Sequence, residues 1–380
     1  ARPGSTGGAV SRVCGWTAAI VALLVAFPAS ASPAPPSEKS ATEQAADEAA
    51  ITPGDRALAI GAAIVPGALV HGSGHWVLGR KRTGNRLLAV EGVGLGMALA
   101  GVVPIAITGA SRYLVGVGAG LSVVGMGLFS MSALADLYGV SVPLQHRGEV
   151  PLTVPGFEAQ FGYRYVYDPI FAYRNFVVHG MDVRHGGWRL SPSAWNALDD
   201  RNARWRVAGA WRFFGPRPGG EDAKSAGYLE LEAGWTRHAF LTEGFHTRTL
   251  ELTLAGRWDL RQLDPMLAGA FWDLSAGIGF HTIDFGVRGV GNETSELLLM
   301  RFGFGAFIGR GSRRGGEVVA YYDHRHDDYA AGMKITGLGS GVAGHIGFSG
   351  KAYLTRNWGL LADVQGGSAW LGGVSLVYRG

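Results

Sequence analysis

The stretch "YYDHRHDDY", residues 321–329, holds the densest set of reactive side chains in the sequence. If it is extended, His324 and His326 share one face while Asp323, Arg325 and Asp327 share the other, with Asp328 next in line. Two imidazoles at i, i+2 beside carboxylates could hold a divalent cation, or supply a base for hydrolysing lipid or peptide. A solvated loop whose charges pair locally accounts for the same residues. No serine stands at a telling spacing and no catalytic motif accompanies the cluster. The expectation is therefore a non-enzymatic chain without metal or cofactor, and His324, His326, Asp327 and Asp328 are the catalytic candidates if that expectation fails. A second pair, His71 and His75, is spaced i, i+4, as on one helix face. Packed or interfacial histidines explain that pair more simply than a metal site.

The elements that would carry these residues change character along the chain. From about residue 156 onward, apolar and polar residues alternate with period two. In 203–214, Trp205, Val207, Trp211 and Phe213 interleave with Arg204, Arg206 and Arg212. In 157–168, Phe157, Phe161, Tyr163, Tyr165 and Tyr167 interleave with Glu158, Gln160 and Arg164. The same alternation runs through 228–236, 249–258 and 272–281, and further strands are readable near 176–189, 297–309, 316–325, 342–354, 358–365 and 370–379. Segments of about ten residues with an aromatic-rich apolar face and a charged opposite face suit a tilted bilayer crossing. An open sheet edge would leave backbone groups unpaired in hydrocarbon, so the sheet must close. The expected fold is mainly β, a closed antiparallel transmembrane β-barrel over 156–380. Eleven strands are visible and an even number is expected, so one strand is placed in 139–155 to give twelve, with ten as the alternative. Arg204, Arg206, Arg212, Glu230, Glu232, Glu251, Arg257 and Arg301 then face the lumen. There they either tune a pore or pair with one another and close a narrow one; pairing is favoured.

The C-terminal strand "WLGGVSLVYRG" carries Gly373, Leu376 and Tyr378 at a Gly-x-x-apolar-x-aromatic spacing. Through this strand and the alternating segments, 156–380 resembles the bacterial outer-membrane β-barrel proteins. The resemblance implies residence in a Gram-negative outer membrane, contact with outer-membrane lipid, and recognition of that last strand by the barrel assembly machinery. Arg379 and Gly380 depart from the pattern, in which the aromatic residue is usually terminal. The short segments 355–357 and 311–315 are expected to turn in the periplasm, and the longer 324–337 and 286–295 to lie outside.

Ahead of the barrel, residues 55–138 read as a Gly-rich apolar helical region. Segments 92–111 and 113–135 lack Asp, Glu, Lys and Arg, and each is long enough to span a bilayer. Gly92 with Gly96, and Gly116 with Gly120, offer G-x-x-x-G spacings for close helix contact. Residues 65–88 weakly resemble a Pro-Gly/Gly-His helical-hairpin motif of bacterial envelope proteins, through Pro66, Gly67, Gly74, His75, Gly79, Lys81 and Gly84. Such a region could contact another envelope component. Residues 32–54 read as a flexible linker, and 1–31 as a signal peptide: Arg12, an apolar run from Ala18 to Phe27, then Ala29-Ser30-Ala31 as the cleavage site. The single cysteine, Cys14, lies within it.

The totals agree with a wall that has one greasy face. Among 380 residues there are 61 Gly and 11 Trp, and only 17% are charged, below the roughly 25% of soluble domains. Mean hydropathy is +0.13. A net charge of +4 without a basic helix gives no reason to expect nucleic acid. The leading functional reading is a structural or porin-like outer-membrane barrel. The alternatives are a rim hydrolase acting on lipid, and an inner-membrane-anchored scaffold or binding protein with a periplasmic β domain.

Overall fold

The computed structural model describes Glu48 and residues 51–108, 115–150, 154–169, 174–218, 225–309, 315–326, 329, 333–335 and 339–380. The expected signal peptide and most of the expected linker lie outside the described residues. Two compact units form: one from the described residues up to Gln145 together with Gln262–Leu267, the other from His146–Arg261 and Ala268–Gly380.

The second unit is a closed barrel of twelve antiparallel strands. In chain order these are β1 (Phe157–Tyr167), β2 (Asn175–His185), β3 (Trp188–Ala197), β4 (Ala203–Phe214), β5 (Tyr228–Ala239), β6 (His246–Asp259), β7 (Ala270–Asp284), β8 (Glu293–Ile308), β9 (Gly316–Asp323), β10 (His345–Tyr353), β11 (Trp358–Gly366) and β12 (Trp370–Arg379). Each strand pairs with the next. Closure comes from β1 against β12, with Glu158 opposite Arg379 at one end and Tyr167 opposite Trp370 at the other. A two-stranded hairpin, Met333–Ile335 with Gly339–Ala343, stands apart within the β9–β10 connection.

The count of twelve holds, but the additional strand is not in 139–155. Residues 139–141 end a helix, Leu144–His146 make a short 3-10 turn, and the described residues up to 150 contain no strand. The strand that sequence reading passes over is β3. It follows β2 through a two-residue turn, Gly186-Gly187, with Gly186 at φ +56°, as tight hairpins require. Pro192 sits inside it and cannot donate to a ladder. On the β2 side the pairing is interrupted there, between Gly180–Ser193 and Val183–Leu190, while on the β4 side Pro192 lies opposite Val207 in unbroken register.

The alternation sorts the faces as expected. Outward positions carry exposed apolar side chains, among them Phe161, Tyr163, Leu190, Val207, Leu231, Leu250, Phe348, Leu360 and Leu376. Aromatics gather at both rims of this surface. Trp188 stacks on Trp211 with centroids 6.2 Å apart and Trp358 meets Tyr378 edge-on at 4.9 Å, both at the end where the chain enters and leaves. Tyr165, Tyr167, Trp205 and Trp370 mark the other end. Phe157 and Tyr167 bracket β1, and that run of a strand tilted by about 40° rises roughly 25 Å, the height of a lipid-facing band. Connection length does not separate the ends. The terminal end has both the 186–187 turn and the 260–269 segment, and the other end has both the 367–369 turn and the long 324–344 segment.

In the helical unit, α1 (Pro53–Ile64) takes in the last two residues of the expected linker. Thr52 and Asp55 form a reciprocal capping box, and Pro53 occupies the first turn, where its missing N–H costs nothing. The short α2 (Ser73–Val77) precedes two long helices, α3 (Lys81–Ile107) and α4 (Val115–Ser141), which pair along their length. Their seam is not built from Gly92 and Gly96: a β-carbon on either would meet nothing within 4 Å. The close approach uses Gly94 and Gly101 against Gly125 and Gly118, because a seven-residue step returns to one helix face. A β-carbon on Gly94 would lie 2.8 Å from Gly125 O, and one on Gly118 would lie 2.6 Å from Gly101 O.

Gly94→Leu is expected to destabilise the helix pair by about 2 kcal/mol or more through overpacking, while Gly92→Leu and Gly96→Leu leave it unchanged. Thermal unfolding followed by far-ultraviolet circular dichroism checks the contrast.

Candidate functional site: the barrel lumen

Inward positions on neighbouring strands bring charges of opposite sign together. Arg189, on β3, is the hub: it donates to Glu230 (2.6 Å) and Glu232 (2.7 Å) on β5 and lies 3.8 Å from Asp182 on β2. From Glu232 the chain of pairs passes to Arg206 on β4 (2.6 Å), whose Nε donates to Glu251 on β6 (2.9 Å). Glu251 also accepts from Arg325, which follows β9. Arg212 holds Glu230 from the other side (3.0 Å) and lies 4.2 Å over the Tyr228 ring.

Several links skip strands and cross the lumen as chords. Arg257 on β6 binds Asp273 on β7 (2.7 Å) and reaches Glu317 on β9 (2.7 Å), with its guanidinium 3.6 Å over Phe271. Arg164 on β1 approaches Asp363 on β11 (3.3 Å), and Lys351 on β10 binds Glu158 on β1 (3.1 Å). Twelve tilted strands give a wall roughly 24 Å across between backbones, curved tightly enough that long side chains reach partners two or three strands away. A cavity of about 170 Å³ remains beside Arg206, Glu232, Glu251, Arg301, Asp323 and Arg325.

Of the eight residues expected in the lumen, Arg206, Arg212, Glu230, Glu232, Glu251 and Arg257 join this lattice. Arg301 instead lies 4.1 Å over the Tyr321 ring, and the Nε atoms of Arg301 and Arg204 are buried without a hydrogen-bond partner. Sequence reading set Glu158 and Arg164 on the charged face of β1 without naming them for the lumen, and missed Arg189, Asp182, Asp363, Glu317 and Lys351. The signal for Arg189 was the Gly186-Gly187 turn, which resets the alternation after β2.

One end of the lumen is filled by a residue from the β9–β10 connection. Tyr329 is buried among Val166, Phe176, Val178 and Leu371, which face inward from β1, β2 and β12. Its ring stacks on Trp195 of β3 (5.3 Å, 12°), and its hydroxyl donates to Asn202 Oδ1 (2.6 Å). A residue leaving β9 therefore rests on the opposite wall. No periodicity in 324–344 announces this, because one aromatic in a loop carries no pattern.

The histidine pair sits beyond the strand. β9 ends at Asp323, so His324 and His326 follow it rather than sharing its face. Their rings meet edge-on at 5.0 Å, and His324 Nδ1 lies 2.9 Å from the Tyr322 hydroxyl. Burial, then neighbouring His326, pushes His324 down to about 4. No group of three or more potential metal ligands occurs among the described residues. Asp327 and Asp328 lie outside the described residues. Gly373, Leu376 and Tyr378 lie on β12, the closing strand: Leu376 and Tyr378 face outward, and Gly373 lets Arg164 of β1 pack close. The Arg379-Gly380 tail extends the closure, with Gly380 N donating to Phe157 O (2.9 Å).

No family model matches this sequence, and no curated protein sequence does. Among solved structures, the chain is similar to the translocator domain of the autotransporter NalP from Neisseria meningitidis, at 12% identity over 60% of this chain and 90% of that one, TM-score 0.35. It is also similar to Omp33 of Acinetobacter baumannii, at 12% identity over 61% and 100%, TM-score 0.29. A third likeness is to the KdgM porin, at 11% identity over 59% and 99%, TM-score 0.32. The closed strand pairing, not these likenesses, carries the barrel assignment.

Arg189→Met leaves Glu230 and Glu232 each short of a partner and is expected to cost about 3 kcal/mol or more, read by urea unfolding of the detergent-folded protein. His324 binds its proton less readily folded than unfolded, so its contribution is complete above about pH 6.5 and is lost as pH falls towards 4. His324→Gln should flatten unfolding midpoints across that window.

Proposed function

We propose that the protein is an outer-membrane β-barrel of a Gram-negative envelope, with a structural or pore-like role and a lumen closed at rest. The observation that carries this reading is a twelve-stranded closed sheet with exposed apolar side chains outside, aromatic residues at both rims, and paired charges inside. A periplasmic β domain in water would not hold Trp188 at 66% and Trp370 at 61% exposure within a continuous apolar belt. Closure at rest follows from the chords and from Tyr329. A solute could pass only if the Arg325–Glu251 pair and the Tyr329 contacts release. β12, with Leu376 and Tyr378 on its outer face, is the segment proposed to meet the assembly machinery.

Outer-membrane recovery with a heat-modifiable gel band is expected; inner-membrane recovery without heat modification would overturn the assignment. In planar bilayers the native protein should conduct weakly. Tyr329→Ala combined with Arg325→Ala should raise single-channel conductance several-fold, and unchanged conductance would favour a purely structural barrel.

A further inference from the structure

The polarity of the helical unit is inverted. Five of its ionisable and hydroxylic residues gather inside: His71, His75, Ser132 and Asp136 are fully buried, and Glu91 is 6% exposed. Asp136 accepts from His75 Nδ1 (2.6 Å) and from the backbone amides of Gly72 (2.9 Å), Gly74 (3.2 Å) and His75 (3.2 Å). Glu91 accepts from the His71 amide (2.8 Å). Ser132 Oγ donates to Phe129 O (3.0 Å), which leaves it to accept from His71 Nδ1 (2.5 Å). Four amides of the 71–75 backbone, at the entry to α2, are thus satisfied by carboxylates of α3 and α4, as amides without an intrahelical partner at membrane depth must be.

The outside is apolar. From Leu88 to Ile107 every exposed residue of α3 is aliphatic, alanine or glycine, with Leu95 at 45%, Leu99 at 53% and Ile107 at 79% exposure. Water selects the opposite arrangement. At about 1.5 Å per residue, that run spans nearly the hydrocarbon thickness of a bilayer. Exposed Lys81 and Arg82 stand at the end of α3 where headgroup phosphate would lie.

We infer that the α3–α4 hairpin is embedded in a bilayer, with lipid acyl chains covering its exposed apolar face and the 65–80 segment held re-entrant behind it by Glu91 and Asp136. That the bilayer is the outer membrane rests on the proposed function; the embedding does not. The 142–156 connector can extend no more than about 50 Å, so the bilayer that holds the barrel is within reach.

The test uses the full chain in a Cys14→Ser background, folded into phosphatidylethanolamine/phosphatidylglycerol vesicles, with Leu95→Cys or Lys81→Cys as the only thiol. Barrel heat modification reports folding of each variant. A membrane-impermeant maleimide should label position 95 at least about tenfold more slowly than position 81. A fluorophore attached to position 95 before folding should be quenched more by lipid spin-labelled deep in the acyl chain than near the headgroup. Equal labelling rates at 95 and 81 overturn the inference. So does protection of 95 without lipid quenching but with concentration-dependent cross-linking, which would mean that a second copy covers the face. Quenching retained in a protein that fractionates with the inner membrane would sustain the embedding and defeat the outer-membrane reading.

Discussion

Hydrogen-bond closure of β1 on β12 is the constraint on which the barrel depends. A strand edge in hydrocarbon leaves amides and carbonyls with nothing to bond, so only a complete ring of strands is stable there. Once the ring is fixed, alternate residues have no choice of surroundings: one set faces outward, the other a narrow interior. Trp205 and Arg206 are neighbours in sequence and enter different solvents. A slip of one residue at any pairing would send a guanidinium into the acyl chains, so the alternation fixes the register as well as the faces.

The interior set is then bound by a second rule. Charges held in a confined, poorly hydrated space must be paired and hydrogen-bonded, because removing one partner strands the other. In a wide barrel water would meet much of that need; with twelve strands the side chains meet it for each other. Arg189 serves carboxylates on both sides, and Arg257 reaches past two strands to Glu317. Tyr329 adds an apolar stop where the charged lattice thins out. Among the described residues the lumen is therefore better described as a polar core than as a channel.

Much of this was legible in the sequence, for a physical reason. Period-two alternation is strong wherever both faces are constrained, and it located eleven of the strands and six residues of the ion-pair lattice. β3 was hidden by its own chemistry: Pro192 reads as a breaker, and Gly186-Gly187 is too short a turn to separate two strands by composition. The mirror case is α3. Its four closely spaced glycines, Gly92, Gly94, Gly96 and Gly101, offer several faces, and sequence alone does not say which one meets α4. Loop residues such as Tyr329 belong to no repeat, so their partners are fixed only by tertiary structure.

The helical unit obeys the same logic as the barrel by a different route. A helix satisfies its own backbone, so no closure is needed, and the burden falls on the few polar side chains. A lone carboxylate at the centre of a membrane helix costs roughly 2.5–3.5 kcal/mol, which makes α3 with Glu91 and α4 with Asp136, both diluted by glycine, poor candidates for insertion one at a time. Folded together around His71 and His75, Asp136 accepts from three amides and the His75 imidazole and Glu91 accepts from the His71 amide, while the face of α3 from Leu88 to Ile107 that is left outside is aliphatic, alanine or glycine. A hairpin of this kind can pass the export machinery as a chain and become lipid-soluble only when it folds. That order of events would reconcile the two apolar spans with the outer-membrane barrel proposed above.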